Sequence, residues 1–446
     1  MRLRLPTPYL LASLYCDLTI YNPPVTAGSG DVLKLLQVLL LVTIVVGCSA
    51  VYLWSRPLVV PPVVEPVVKP VNVTLGVITY DPVITRHFDY IADSTLNDVN
   101  AYAASKGYPY RFDYLSRNIA GVAGGMEKGV VDMSRTEGVK IFLGFDSTEV
   151  MCASLSFAIS NHMILMGVPL IHHDSSALPG DIMFRVAPNL RQIHIASAKI
   201  VKGMGFKGVM VIQRGDSWGD GIVIALEEAL GSGSVMKARY DMDSTDYSGA
   251  LDSAASQLPE LIARYGAQRT AIVLVSAAET NKVLEEAAKR DGLMSVPWVI
   301  LQESPDPYSI AEELPDMLGV SVVAGAKLIT LKMAPITDNP VFAKLQSGYS
   351  GTDSLGLIDA SFHDSIWVAC LSILEANTTD SEVLKGVIPG VANEYTGASG
   401  RVLLDANGDR MVDYEIYEAT FTGSAPTWVK SGRYDAATGQ VTLGGE

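Results

Sequence analysis

Residues 139–188 read VKIFLGFDSTEVMCASLSFAISNHMILMGVPLIHHDSSALPGDIMFRVAP. The apolar run Val139–Gly144 ends in a polar turn, Phe145-Asp146-Ser147-Thr148. A helix-patterned segment comes next, over Glu149–His162. A second apolar run, Met166–Ile171, then ends in His172-His173-Asp174-Ser175-Ser176. Short apolar runs closed by turn residues read as buried strands. Strand, polar tip, helix, strand, polar tip is the order of an open parallel sheet, in which ligands lie outside the carboxyl ends of the strands. A helix amino-terminus at such a tip presents free N–H groups and the positive end of a dipole to an anion. Two hydroxyl-bearing tips in succession therefore make a place to hold a small polar molecule.

The same order extends on both sides. Strands are expected at Val73–Thr79, Tyr110–Leu115, Gly208–Gln213, Thr270–Ser276 and Val296–Gln302. Helices are expected at Asp89–Lys106, Met126–Arg135, Arg191–Met204, Gly219–Leu230, Tyr247–Tyr265 and Thr280–Asp291. Regular alternation of this kind predicts parallel α/β units. It recurs in two blocks, before and after Pro188, which predicts two similar lobes. From Gly319 onward it loosens, with a helix at Asp364–Ala376, a strand pair near 399–421 and a turn-rich end from 423.

A chain of 446 residues suggests two to three folded units. Hydrophobic residues make up 48% and charged residues 18%, which supports substantial cores and excludes a disordered chain. The net charge of −15 comes without a basic stripe, which argues against a nucleic-acid partner. The four cysteines, at 16, 48, 152 and 370, have no metal-ligand spacing and imply no disulfide framework.

The amino-terminal region has a different character. Residues 1–34 read as a short cytoplasmic tail, or as untranslated in the cell, since Val32 is a residue type that an alternative start codon encodes. Leu35–Trp54 holds 20 residues without a formal charge, enough helix to span a bilayer core. Tyr52 and Trp54 suit its outer interface. Val45-Val46-Gly47-Cys48 resembles a lipoprotein cleavage box, so an uncleaved anchor, a lipidated Cys48 and a cleaved signal all stay open. Each puts the remainder of the chain outside the cytoplasmic membrane. Residues 55–71 carry PLVVPPVVEPVVKP over Pro57–Pro70, whose prolines fit a semi-rigid stalk. Residues 72–446 remain as the globular part.

An ordered series of stretches now carries a resemblance: NVTLGVITYDP from 72, VKIFLGFDSTEV from 139, GVPLIHHDSSALPG from 167, FKGVMVIQRGDSWGDGI from 206, VLEEAAKRDGLMSVPWVILQES from 283, FHDSIWVACLSIL from 362 and SGRVLLDANGDRMVDYEIYEAT from 399. Together they resemble the type I periplasmic binding proteins, and within them the substrate-binding subunits of branched-chain-amino-acid-type ABC transporters. The resemblance implies two α/β lobes, each a parallel sheet flanked by helices, joined by three crossovers. Lobe 1 would hold about 73–190 and 330–412, and lobe 2 about 191–329 and 413–446.

It also implies a ligand site between the lobes. Ser147 and Thr148 match a tip whose hydroxyls and N–H groups hold an amino-acid carboxylate, although either residue also serves simply as a helix cap. Ser176 matches a ligand-contacting hydroxyl beside Ser175. Asp174 departs from the small residue usual there, and reads either as a partner for an ammonium or as a turn residue. Trp218 matches an aromatic cover in the second lobe, or packs on its own lobe. Glu303 matches the acid that binds an α-ammonium. Ser276 stands where a larger polar group is common, which implies room for a larger side chain, and Tyr80 could line the rim. The implied function is an extracytoplasmic solute receptor that delivers an amino acid or related amine to an ABC permease and its ATPase. The alternative is a membrane-anchored sensor acting through a partner protein.

No enzyme is expected, since no H-E-x-x-H or Walker-type loop occurs. No cofactor or metal is expected either. His172 and His173 lack a third ligand, and Asp405-Ala406-Asn407-Gly408-Asp409 lacks the closing Glu of a calcium loop, so it reads as a β-turn.

Overall fold

Asp81-Pro82 starts the first long helix of the globular part. The Asp81 side chain accepts the N–H of Val83 at 2.6 Å, and Pro82 occupies the first helical turn, where its missing N–H costs nothing. This helix therefore begins seven residues before the expected Asp89. Of the added residues only Pro82, Val83 and Arg86 are exposed, whereas His87 and Phe88 are already buried.

The computed structural model describes residues 29–54, 70–122, 126–168, 182–302, 327–333, 339–422 and 425–444. The chain divides into two units, Met1–Val68 and Lys69–Glu446. In the first, α1 (Ser29–Trp54) is a single helix whose stretch Gly30–Cys48 is long and apolar enough to cross a membrane. The hydroxyl of Thr43 within it donates to the Leu39 carbonyl, so no polar group of that side chain needs water.

The second unit holds two large sheets. The first is wholly parallel, in the order β2-β1-β3-β4-β5, from β1 (Val71–Thr79), β2 (Tyr110–Asn118), β3 (Ile141–Gly144), β4 (Ile164–Gly167) and β5 (Met183–Arg185). Its helices are α2 (Pro82–Ser105), α3 (Lys128–Glu137) and α4 (Thr148–Ser160). They are joined by α9 (Pro340–Gly348), α10 (Leu357–Ala376) and α11 (Ser381–Glu394), which return from far along the chain. α10 is also apolar enough to span a membrane, but 83% of it is buried, and it is the core helix packed on α2 and β3.

The second sheet runs β17-β16-β15-β10-β9-β8-β6-β7. Its parallel part comprises β6 (Gly208–Arg214), β7 (Val235–Tyr240), β8 (Thr270–Ser276), β9 (Trp298–Gln302) and β10 (Leu328–Met333). β15 (Tyr414–Thr422), β16 (Ala425–Asp435) and β17 (Gln440–Leu443) extend it antiparallel. Two short antiparallel pairs precede β15: β11 (Thr396–Gly397) with β12 (Gly400–Arg401), and β13 (Leu403–Leu404) with β14 (Arg410–Met411). Alternate residues of each parallel strand serve opposite faces. Val209, Val211 and Val273 pack toward α5 (Leu190–Gly203) and α6 (Ser217–Leu230), whereas Met210, Ile212 and Leu274 pack toward α7 (Ser248–Tyr265) and α8 (Thr280–Ala287). Burial on both faces explains why these strands are continuously apolar in sequence.

The chain passes between the large sheets three times, after Arg185, after Met333 and after Met411. β10 lies wholly in the second sheet, so the second crossing comes after Met333 rather than beginning near 330. β4 lies two residues before the expected Met166, and residues 169–181 lie outside the described ones. β5, β7, β10, α9 and α11 are additions to the expected elements. α11 carries Pro389 and two glycines, which read as breakers, yet its buried Leu384, Ile388, Val391 and Ala392 hold it in place.

Candidate ligand-binding site

In both large sheets the winding reverses between the first strand and the third. In the first sheet β1 lies between β2 and β3, and in the second β6 lies between β7 and β8. At such a point the neighbouring connections run to opposite faces and leave a crevice at the strand ends.

At the first crevice the chain turns sharply after β3. Gly144 has φ +92°, and a Cβ there would lie 2.8 Å from the Ile78 carbonyl oxygen, so only glycine fits. Phe145 has φ 46° and is buried, its N–H donating to that same carbonyl at 2.7 Å. A buried aromatic in the left-handed region is strained and marks a tip that the surrounding structure holds in shape. The turn swings Asp146 across the end of β1, where its two carboxylate oxygens accept the N–H groups of Tyr80 at 2.6 Å and Asp81 at 2.7 Å. Burial raises the Asp146 pKa above the usual carboxylate value; the two N–H bonds oppose that shift, and the nearby Asp81 carboxylate adds to it. Asn118, at the end of β2, donates to the Tyr80 carbonyl at 3.1 Å and to Thr85 at 2.8 Å.

Ser147 caps α4. Its hydroxyl accepts the Val150 N–H at 3.5 Å and donates to Glu149 at 2.7 Å. Thr148 is the first residue of that helix and is half-buried. Tyr80 directly follows β1 and is 48% exposed. These three are thus brought together at one strand-end cluster. Asp174, Ser175 and Ser176 lie outside the described residues, as does Glu303.

At the second crevice Arg214 ends β6 and is paired with Asp216, whose other oxygen accepts the Gly219 N–H at 3.0 Å as the cap of α6. Tyr240, at the end of β7, reaches past β6 to β8. Its hydroxyl is 3.2 Å from the Val275 carbonyl and donates to Glu279 at 2.7 Å. Burial, and then the Glu279 carboxylate, raise the pKa of that phenol, which keeps it a proton donor. Ser276 is fully buried, its hydroxyl 2.7 Å from that of Thr280. Trp218 sits in the first turn of α6, 5% exposed, with its ring centroid 5.1 Å from that of His194 on α5. It is packed against its own lobe, and its indole N–H has no acceptor among the described residues. Gly219 and Gly221 permit this packing: a Cβ at the first would lie 2.1 Å from the Arg214 carbonyl oxygen, and at the second 2.1 Å from the His194 ring.

Sequence reasoning missed three groups here: Asp146, the Tyr240–Glu279 pair and the Arg214–Asp216 pair. Asp146 lies inside the 139–188 stretch and reads there as one more polar turn residue. Its partners are 65 and 66 residues upstream, and only the pairing of β1 with β3 brings them within reach.

The turn at Asp405–Asp409 is closed by its own groups. One Asp405 carboxylate oxygen accepts the N–H of Asn407 at 2.8 Å and of Asp409 at 3.0 Å. Among the described residues no group of three or more His, Cys, Asp or Glu is placed to hold a metal ion. Cys48, Cys152 and Cys370 are free thiols.

The chain is 23% identical over 401 residues, 83% of its length and 89% of the relative's, to the uncharacterized protein MJ1266 of Methanocaldococcus jannaschii. In fold it is similar to a putative branched-chain amino acid ABC transporter protein of Rhodospirillum rubrum, with TM-score 0.62 and 17% identity over 81% of this chain and 100% of that one. It is likewise similar to an ABC-type branched-chain amino acid transporter protein of Rhodopseudomonas palustris, with TM-score 0.59 and 13% identity over 84% and 100% of the two chains. These likenesses bear out the two-lobed α/β fold with a parallel sheet in each lobe. The family model of the receptor family ligand binding region matches residues 93–422, most of the globular part, and the chain belongs to that family.

Proposed function

We propose that this protein is an extracytoplasmic solute-binding receptor of an ABC transporter, and that it captures an amino acid or a related amine-bearing molecule between its two lobes. The observation that carries the reading is the pair of crevices of like winding, one in each sheet, on a chain of a ligand-binding family whose structural relatives are named as branched-chain amino acid transporter proteins. The first tip favours a zwitterion. α4 offers the N–H groups of its first turn to a carboxylate, while Asp81, Asp146 and Glu149 nearby suit an ammonium group. Tyr80, Thr148 and Ser147 would supply one jaw, with Asp174, Ser175 and Ser176. Glu303 would supply the other, with Trp218 and Ser276 supporting it from within their lobe. Closure about the three crossovers would be stabilised by ligand contacts to both sides. α1 would hold the receptor at the membrane, the globular part outside, within reach of a permease and its ATPase.

Titration calorimetry of the full chain in lipid nanodiscs, against the common amino acids, tests this reading. Micromolar or tighter binding of at least one is expected, weakened more than about tenfold by Glu303→Gln, as for removal of one charge-assisted contact. Absence of binding to any of them overturns the ligand class. Binding unchanged in Glu303→Gln overturns the role of that residue.

A further inference from the structure

The outer helical face of the first lobe carries a cavity that the proposed function does not use. It lies between α2, α9 and α10, holds about 510 Å3, and is lined mainly by apolar surface. A second hollow of about 360 Å3 adjoins it and shares Tyr102, Leu371 and Tyr395. The volume is in the range of sites for small organic ligands. Thr95 stands 14 residues into α2 from its cap at Asp81, so the cavity begins about 20 Å along the helix from the strand tips, at 1.5 Å per residue.

Three rings form an aromatic wall. Trp367 and Tyr395 are stacked with centroids 6.4 Å apart and planes 24° from parallel, and Tyr102 meets Trp367 edge-on at 5.9 Å. Two polar groups break the apolar lining. Thr95 is 1% exposed, and its hydroxyl has no hydrogen-bond partner among the described residues, not even the carbonyl one turn earlier that a helical threonine ordinarily uses. A buried hydroxyl left in this way is costly unless something else bonds it. His363 also lines the cavity. Its Nδ1 is 2.8 Å from Asp364, whose carboxylate accepts the N–H groups of Ala398 and Ser399 as well. With Asp364 placed as the acceptor of these neighbouring donors, Nδ1 donates to it and Nε2 is the ring nitrogen left for a ligand. At the rim Asp98 and Lys344 neutralise each other at 2.8 Å, so the site does not ask for a charged guest.

We propose that this cavity is a second ligand site, for a small uncharged molecule with one aromatic ring and one hydroxyl or amide group. The ring would lie against Trp367, Tyr395 and Tyr102, and the polar group would bond Thr95 and His363 Nε2. The site is independent of the amino-acid cleft.

The test uses the full chain in lipid nanodiscs, with phenol as the probe and toluene as its apolar control, read by saturation-transfer NMR and by competition. Phenol is expected to bind saturably in the millimolar range, and toluene about fivefold more weakly, the worth of one neutral hydrogen bond. Thr95→Val should bring phenol down to the toluene level with no loss of thermal stability. Ser94→Phe, which puts a ring into the cavity from the neighbouring helix position, should abolish binding of both. An amino acid that saturates the cleft should leave phenol binding unchanged. Absence of saturable phenol binding, insensitivity to both substitutions, or displacement of phenol by the cleft ligand would each overturn the proposal.

Discussion

Arg185 and Asp409 lie 224 residues apart in sequence and form an ion pair in which both side chains are wholly buried. Arg185 ends β5, where the chain first leaves lobe 1, and Asp409 closes the turn before the last crossing. Arg410 strengthens the same junction. Its guanidinium donates to the Val186 carbonyl at 2.9 Å and to the carbonyls of Ser399 and Arg401 at 2.8 Å each. The first and third crossovers are thus bound to each other by two buried arginines. The pivot about which the lobes would move is a charged, closely bonded junction.

Asp409→Asn should therefore be severe. Removing one partner leaves the Arg185 charge buried without its counter-ion, a loss of about 3–5 kcal/mol. Replacing both residues together, Arg185→Met with Asp409→Leu, should recover much of that loss, because no uncompensated charge remains. Urea unfolding of the parent and both variants measures the difference. A single variant as stable as the parent would show that the pair contributes nothing.

Asp146→Ala should free the N–H groups of Tyr80 and Asp81, at a cost of about 1–3 kcal/mol. It should also loosen the β1 tip, so that ligand affinity falls together with stability. Hydrogen exchange at the two amides reports the effect directly, and protection equal to that of the parent would contradict it.

His87 clasps two carboxylates. Only 4% exposed, it sits 3.1 Å from Asp359 through Nδ1 and 3.1 Å from Asp353 through Nε2. The hydrogen bond to Asp359 leads the causes that raise its pKa above the ordinary 6.5, against a contrary push from burial. A cation favoured in the folded state stabilises it fully below 6.5, and that stabilisation fades as pH rises through the raised value. The melting temperature should consequently drop as pH rises above 6.5, and His87→Gln should flatten that part of the profile. An identical slope in the variant would assign the dependence to other groups.

Gly221→Ala inverts a general expectation. In an exposed helix interior the change gains up to about 1 kcal/mol. Here the added methyl would lie 2.1 Å from the His194 ring, which is itself buried against Trp218, so a loss of about 1–3 kcal/mol is expected. Thermal melts of the parent and the variant decide the sign.

Much of this protein is legible in its sequence because the relevant physics is local. Short apolar runs ending in Gly, Asp, Ser or Thr announce strands of a parallel sheet. An uncharged stretch such as Leu35–Trp54 announces a helix able to cross a membrane, and Ser147 announces a cap. Long-range pairings are illegible in the same residues. Asp146 looks like any turn aspartate until β1 and β3 become neighbours. Arg185 and Asp409 look like surface charges until the chain returns between the sheets. Trp218 reads equally well as a cover for a ligand or as a packed ring, and its burial against His194 is made possible by Gly221 on α6, which lets α5 approach. Periodicity along the chain determined the elements and the class of fold. Which polar groups share a crevice, a hinge or a cavity was decided by strand order and helix packing, because burial and electrostatic pairing act through space and leave no fixed spacing in sequence.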